Sequence, residues 1–232
     1  MTAVAVPLNP RLAQFGRLTK DDARGIFQDL SYNPFIATQE NNHFASLDGP
    51  RIGYRKWRSL LRSDSSHSGA VDIHDDGSVA LAFIATLGRD LEAHDIHVMD
   101  AHHLPAQAVG LVQTTAKYLG ISGSYELQLN IQSQWVPYYI RPFGNGHLVD
   151  RMALMPIHRF PDSPRFHPVR ALVDGQAGDE VLLGQVHSLA LDLLNQAGIT
   201  EVQHGDGMAC PDASNTDRLD RLPASFGTFT GS

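Results

Sequence analysis

The stretch AVDIHDDGSVALAFIA, residues 70–85, constrains the fold more than any other part of the chain. Val71 and Ile73 alternate with Asp72 and His74. Beyond the turn, Val79, Leu81 and Phe83 alternate with Ala80, Ala82 and Ile84. Period two on both arms around Asp-Asp-Gly predicts a β-hairpin, and Asp-Gly favours the primed two-residue turns. The second arm is apolar on both faces, so it belongs near the middle of a sheet or beneath a helix.

Further elements follow in the same half. DIHVMD, residues 95–100, reads as a strand. Leu104, Ala108, Leu111, Val112, Thr115 and Leu119 recur at helical spacing over 104–119, with Pro105 suited to the first turn and Gly120 at the stop. SYELQLNIQ places Tyr125, Leu127, Leu129 and Ile131 on one strand face and Glu126, Gln128 and Asn130 on the other. HLVDRMALM and HPVRALVD read as two more strands, separated by a proline-rich excursion over 156–168. The strongest helix spans about 179–197, with Asp179 and Glu180 at its positive end and Gly198 as its stop.

Residues 1–68 are harder to organise. Thr19 and Asp22 stand in capping-box order ahead of a short helix carrying Ile26 and Leu30, with Leu18 on the same stripe. Loop-forming residues dominate after that. The expected organisation is an irregular arm or linker over 1–68, a domain over 69–200, and a loose tail over 201–232. The arm leaves open whether the chain is part of a larger polypeptide or complex. The expected fold class is α+β: a two-layer sandwich with one mostly antiparallel or mixed sheet of five or six strands and two main helices.

Composition narrows the function classes. At 42% hydrophobic and 19% charged over 232 residues, the chain can bury a real core. The net charge of −7 runs against a protein that wraps duplex nucleic acid. One cysteine, Cys210, excludes an internal disulfide framework and a cysteine-rich zinc site. No apolar run approaches a membrane span, and MTAVAVPLNPRL does not read as a secretory leader. A cytoplasmic setting and no membrane partner are expected.

Four groups of residues carry candidate chemistry. Asp72, His74, Asp75 and Asp76 offer oxygen and imidazole ligands, but Asp at a hairpin turn also hydrogen-bonds the local backbone, and that structural reading is favoured. His94, His97, His102 and His103 lie within ten residues, and with His74 they form the candidate zinc set of a metal-dependent enzyme. Their spacing fits no rigid template, and neither His102 nor His103 falls on the expected helix, so packing or surface roles are favoured. RIGYRKWRSLLR, residues 51–62, has five cations and no acid. Arg51, Tyr54, Arg55, Lys56, Trp57 and Arg58 could meet phosphates and stack bases. Residues 72–100, with seven acids and one arginine, offer the run an intramolecular partner instead. Trp135, Tyr138, Tyr139, Arg141, Phe143 and His147 form an aromatic segment suited to a ligand groove, an interface or a core cap. FGNGH lacks the rest of a dinucleotide or phosphate-loop fingerprint, and no GxSxG or HExxH motif is present.

The order VDIHDDGSVALAF, LPAQAVGLVQTTAKYLG, YELQLNI, HPVRALVD and LLGQVHSLALDLLNQAGI resembles the region that follows a Schlafen/AlbA-like ATP-binding module in some bacterial regulators. The resemblance covers residues 70–199. The nucleotide-binding module itself has no counterpart, so no functional residue carries over. It implies an accessory domain tied to regulation or defence. The combined expectation is a non-catalytic domain contacting a protein partner, a second copy or a small ligand, without a cofactor. A zinc enzyme and a weak nucleic-acid-binding module are the alternatives.

Overall fold

Seven strands form one antiparallel sheet, and one of its interior strands comes from the first seven residues. A computed structural model of the chain describes residues 1–11, 15–37, 47–61, 67–85, 95–132, 139–141, 158–159 and 166–196. Strand β1 (Thr2–Pro7) pairs on one side with β5 (Val79–Ala85) and on the other with β7 (Ser124–Asn130). Outward from β5 lie β4 (His67–His74), β3 (Lys56–Leu61) and β2 (Arg51–Gly53), while β10 (Val169–Asp174) closes the other edge beyond β7. Every pairing in this sheet is antiparallel. A second, three-stranded sheet joins β6 (Asp95–His97), β8 (Tyr139–Arg141) and β9 (His158–Arg159).

The α+β class is as expected, with seven strands in the main sheet rather than five or six. Residues 1–68 do not form an irregular arm. They supply β1, β2 and β3 together with helices α1 (Lys20–Leu30) and α2 (Pro34–Ala37), and Met1–Thr200 is one unit. Residues 201–232 lie outside the described residues, as does the strand expected within HLVDRMALM.

Strand parity sets the two faces. Ala3 and Ala5 of β1, Val79, Leu81 and Phe83 of β5, and Tyr125, Leu127 and Leu129 of β7 are all buried on one face. Against that face packs α3 (Val98–Leu119), with α4 (Asp179–Asn195) beside it over β10. The small alanines of β1 let the helix sit close above that strand. The opposite parity shows Val4, Val6 and Leu172, each between 45% and 58% exposed.

Helix α3 is buried on all sides from His103 to Ala116. It starts six residues earlier than its apolar spacing suggests, so the strand ends at His97. Pro105 is therefore inside the helix rather than in its first turn, and its ring removes one backbone bond of the second turn. Polar side chains tie α3 to its neighbours. Asn33 Nδ2 donates to Gln113 Oε1 at 2.9 Å and to Thr114 Oγ1 at 3.1 Å, and Gln113 Nε2 donates to Asp179 Oδ1 at 2.7 Å. A Cβ at Gly110 would come within 2.8 Å of Asn33 Oδ1 and 2.9 Å of Ile36, so that close approach requires glycine.

Helix α1 keeps its expected cap. Asp22 N donates to Thr19 Oγ1 at 3.1 Å, and Thr19 N donates back to Asp22 Oδ2 at 2.9 Å. Hydrogen bonds from the Thr19 side chain and then from its backbone hold the Asp22 carboxyl below its ordinary range. Ile26 and Leu30 are fully buried, with Leu18 at the entry.

Candidate functional site: an arginine-lined corner between two hairpins

The β4–β5 turn is a three-residue loop. Gly77 N donates to His74 O at 3.0 Å, and His74 N donates to Ser78 O at 2.8 Å. Gly77 alone in the turn has a positive φ, at 89°, whereas a primed two-residue turn needs positive φ at its glycine-favouring centre and no third residue. The turn is thus the glycine-bulge form rather than the primed form expected from Asp-Gly. A Cβ at Gly77 would also overlap Ile121.

All three aspartates around this turn are engaged. Asp75 Oδ1 accepts from Leu18 N at 3.0 Å, and Oδ2 accepts from Arg17 Nε at 3.3 Å. Asp76 Oδ1 accepts from Ser78 N at 2.9 Å, and its carbonyl accepts from Arg11 N at 2.8 Å. Asp72 faces away from the helices, but its side chain is only 9% exposed because two cations cover it. Arg58 Nε and Nη2 donate to its two oxygens at 2.6 and 2.7 Å, and Lys56 Nζ donates at 2.6 Å. Burial pushes the Asp72 carboxyl up, but the hydrogen bonds from Arg58 and then Lys56 outweigh it and hold the group below its usual range. The same pairing raises the Arg58 guanidinium. The turn cluster therefore ties together β3, β4 and the segment leading into α1.

Register explains the clamp. Arg58 stands opposite Asp72, and Lys56 stands opposite His74, one diagonal step away. The run at 51–62 thus spends two cations on its own domain. Arg51 is bound to Asp48 at 3.0 Å. Trp57 is 8% exposed and donates its indole N–H to Leu18 O at 2.9 Å, so it presents no face for stacking a base. Of the three residues expected to meet nucleic acid together, Trp57 is buried and Arg58 is bound to Asp72.

What remains outside is the β2–β3 tip. Ile52 is 67% exposed and Tyr54 88%. Arg55 is the only non-glycine among the described residues with positive φ, at 53°. A non-glycine residue there carries local strain of roughly 1–2 kcal/mol. Its carbonyl accepts from Asp75 N at 3.1 Å, which locks this tip to the neighbouring hairpin.

Beside the tip, Arg11, Arg17, Arg55, Asp75 and Asp76 surround a pocket of ≈150 Å³. Arg11 donates to Gly16 O at 2.7 Å and Phe15 O at 2.9 Å, and its guanidinium lies 5.6 Å from the Phe15 ring centre. Arg17 Nη2 donates to Gly53 O at 3.2 Å. Arg11 and Arg17 were not among the residues singled out from sequence. Their signal was two arginines six apart around a Phe-Gly pair, directly before a capping box.

The remaining candidates are placed only in part. His74 ends β4 and is half-buried. His97 ends β6 and His102 and His103 lie on α3, which corrects their expected place ahead of the helix. His103 is buried, and His94 lies outside the described residues. Among the described residues, no group of three His, Cys, Asp or Glu side chains is placed to hold a metal ion. Tyr139 and Arg141 belong to β8, while Trp135, Tyr138, Phe143, His147 and Cys210 lie outside the described residues. Among the described residues, no helix is long and apolar enough to cross a membrane.

Compared with protein-family models, curated proteins and solved structures, the chain matches none.

Proposed function

We propose that the chain is a non-catalytic accessory domain that acts by contact with another protein, using the tip of the β2–β3 hairpin. The observation that carries this reading is the exposure of Ile52 and Tyr54 side by side at a sheet edge, 67% and 88%. Tyrosine is enriched at protein interfaces, and an unpaired edge strand offers backbone groups for a partner to extend. The cations of the same run favour protein over nucleic acid. Duplex binding needs several unneutralised charges, whereas Arg51, Lys56 and Arg58 each meet an aspartate of this chain. The regulatory role implied by the resemblance of residues 70–199 belongs to this same reading.

Site-specific photo-cross-linking in the native cells tests it. A photoreactive phenylalanine at position 54 is compared with one at position 32, where Tyr32 is 83% exposed just past the C-terminal end of α1. The expected result is a discrete protein adduct from position 54, absent from position 32 and lost in the Ile52→Asp background. An adduct at twice the chain mass would assign the partner as a second copy. Equal adducts from both positions, or a nucleic-acid adduct, would overturn the proposal.

A further inference from the structure

Two concave features meet at Arg11. The smaller is the ≈150 Å³ pocket between Arg11, Arg17, Arg55 and the turn aspartates. The larger, ≈390 Å³, runs from Arg11 past Phe15 and Leu18 to Tyr118, Ile121 and Ser122 at the C-terminal end of α3. We propose that together they bind a small organic phosphate, its phosphate between Arg11 and Arg55 and its apolar ring body along Phe15 and Tyr118.

Charge favours the anionic head at the smaller pocket. Asp75 is answered by Arg17 and Leu18 N, and Asp76 turns one oxygen onto Ser78 N of its own turn. The described partners of the Arg11 guanidinium are neutral carbonyls of Phe15, Gly16 and Asp75. Those bonds fix its plane without cancelling its charge. Arg55 is held at the pocket rim by its backbone bond to Asp75. The Asp22 carboxylate, which lines the larger groove, also acts on Arg11, but its Oδ2 already accepts from the Thr19 backbone and side chain. Two guanidinium groups on fixed backbones suit the fork geometry of phosphate recognition.

Size and lining favour an organic body beyond the head. At about 30 Å³ per water, the smaller pocket holds about five waters' worth of volume, enough for a phosphate with bridging water. The larger groove lies within the range of about 300–1,000 Å³ found for small-molecule sites. Phe15 and Tyr118 stand 62% and 41% exposed at this groove. Next to Gly77, the Tyr125 hydroxyl is fully buried and has no hydrogen-bond partner among the described residues. Asp76, the neighbour of Gly77 in the turn, lines the smaller pocket. The proposal concerns the chain alone and stands whether or not the hairpin tip has a protein partner.

Isothermal titration of the full chain at low ionic strength, with phenyl phosphate, inorganic phosphate and benzoate, tests it. Phenyl phosphate should occupy one site at least about tenfold more tightly than either other probe, a difference of about 1.4 kcal/mol. Arg55→Asn removes the charge while accepting the left-handed backbone, and should weaken both phosphates by about tenfold or more. Phe15→Ala should weaken phenyl phosphate and leave inorganic phosphate unchanged. It also carries the test should Arg55→Asn lower the melting temperature. Absence of phenyl phosphate binding at millimolar concentration would overturn the site. So would binding unchanged in both folded variants. Benzoate binding as tightly as phenyl phosphate would overturn the phosphate head.

Discussion

The β4–β5 and β2–β3 hairpins are neighbours in one sheet, yet their turns use polar side chains in opposite ways. In the first, Asp72, Asp75 and Asp76 read as a ligand cluster, but their oxygens go to Arg58, Lys56, Arg17, Leu18 N and Ser78 N. In the second, Tyr54 and Ile52 project outward and Arg55 holds a strained backbone. A polar cluster at a turn is often consumed by the backbone that it shapes. Functional capacity remains where large side chains stay exposed against the general tendency to bury them. Stability should therefore depend on the first turn and binding on the second, and substitution can break that contrast from either side.

The largest effect is expected at Asp75. Asp75→Ala leaves the buried Leu18 N–H without an acceptor and Arg17 without its carboxylate. A loss of about 3 kcal/mol is expected, which for a domain of this size lowers the melting temperature by roughly 6–12 °C. Differential scanning calorimetry reads it directly. A change below about 1 kcal/mol would mean that Asp75 does not tie the α1 entry to the hairpin.

Asp72→Asn comes next, at about 1–2 kcal/mol, because Arg58 is partly exposed and solvent screens part of the pair. Its signature is pH dependence. The folded-state carboxyl lies below its ordinary value of about 3.8. Its contribution is therefore complete above that ordinary value and is lost as pH falls through the lower, folded one. Wild-type stability should drop on acidification below about pH 4, and Asp72→Asn should drop less steeply over the same window. Urea melts at pH 6 and pH 3 compare the two. Parallel slopes would sink the assignment.

Much of this contrast was legible in the sequence, and the exceptions have physical causes. Strand parity found the buried sets of β5 and β7, and the Thr19–Asp22 spacing found the α1 cap, because both depend on short-range geometry. β1 escaped notice because TAVAVP is short, made mostly of small residues and ends in a proline. Only its pairing with β5 over Thr2–Ala5 and with β7 over Thr2–Pro7 makes it an interior strand. The start of α3 was missed because Pro105 looks like a first-turn residue, whereas burial on all sides outweighs its local cost. The arginine corner is a contact between residues 11, 15–17, 53–55 and 75–76, and no local pattern joins them. Sequence offered the charges of the 51–62 run and the acidic stretch 72–100 as their partner, and the cross-strand register of Arg58 with Asp72 picks out the residue that answers them.

Two smaller effects sharpen the second half of the comparison. Arg55→Gly removes the steric cost of a side chain at φ 53°, and the chain entropy of glycine offsets part of that gain. A net stabilisation of about 0.5 kcal/mol is expected, readable as a rise in the urea midpoint at constant slope. A destabilisation above about 1 kcal/mol would mean that the Arg55 side chain is itself a structural contact.

Tyr54→Ala should be the quietest change in stability, within about 0.5 kcal/mol, because an 88% exposed ring has little surface to lose. That silence is informative only beside a second readout. If the ring is kept at the sheet edge for contact, the same substitution should remove the cross-linked adduct reported by a photoreactive residue moved to the adjacent position 52. The melting curve should stay superimposed on the wild-type curve. If instead stability falls by 2 kcal/mol or more, the size of a packed aromatic contact, the tip is held by this chain's own surface. The two hairpins would then differ in degree of burial and not in kind.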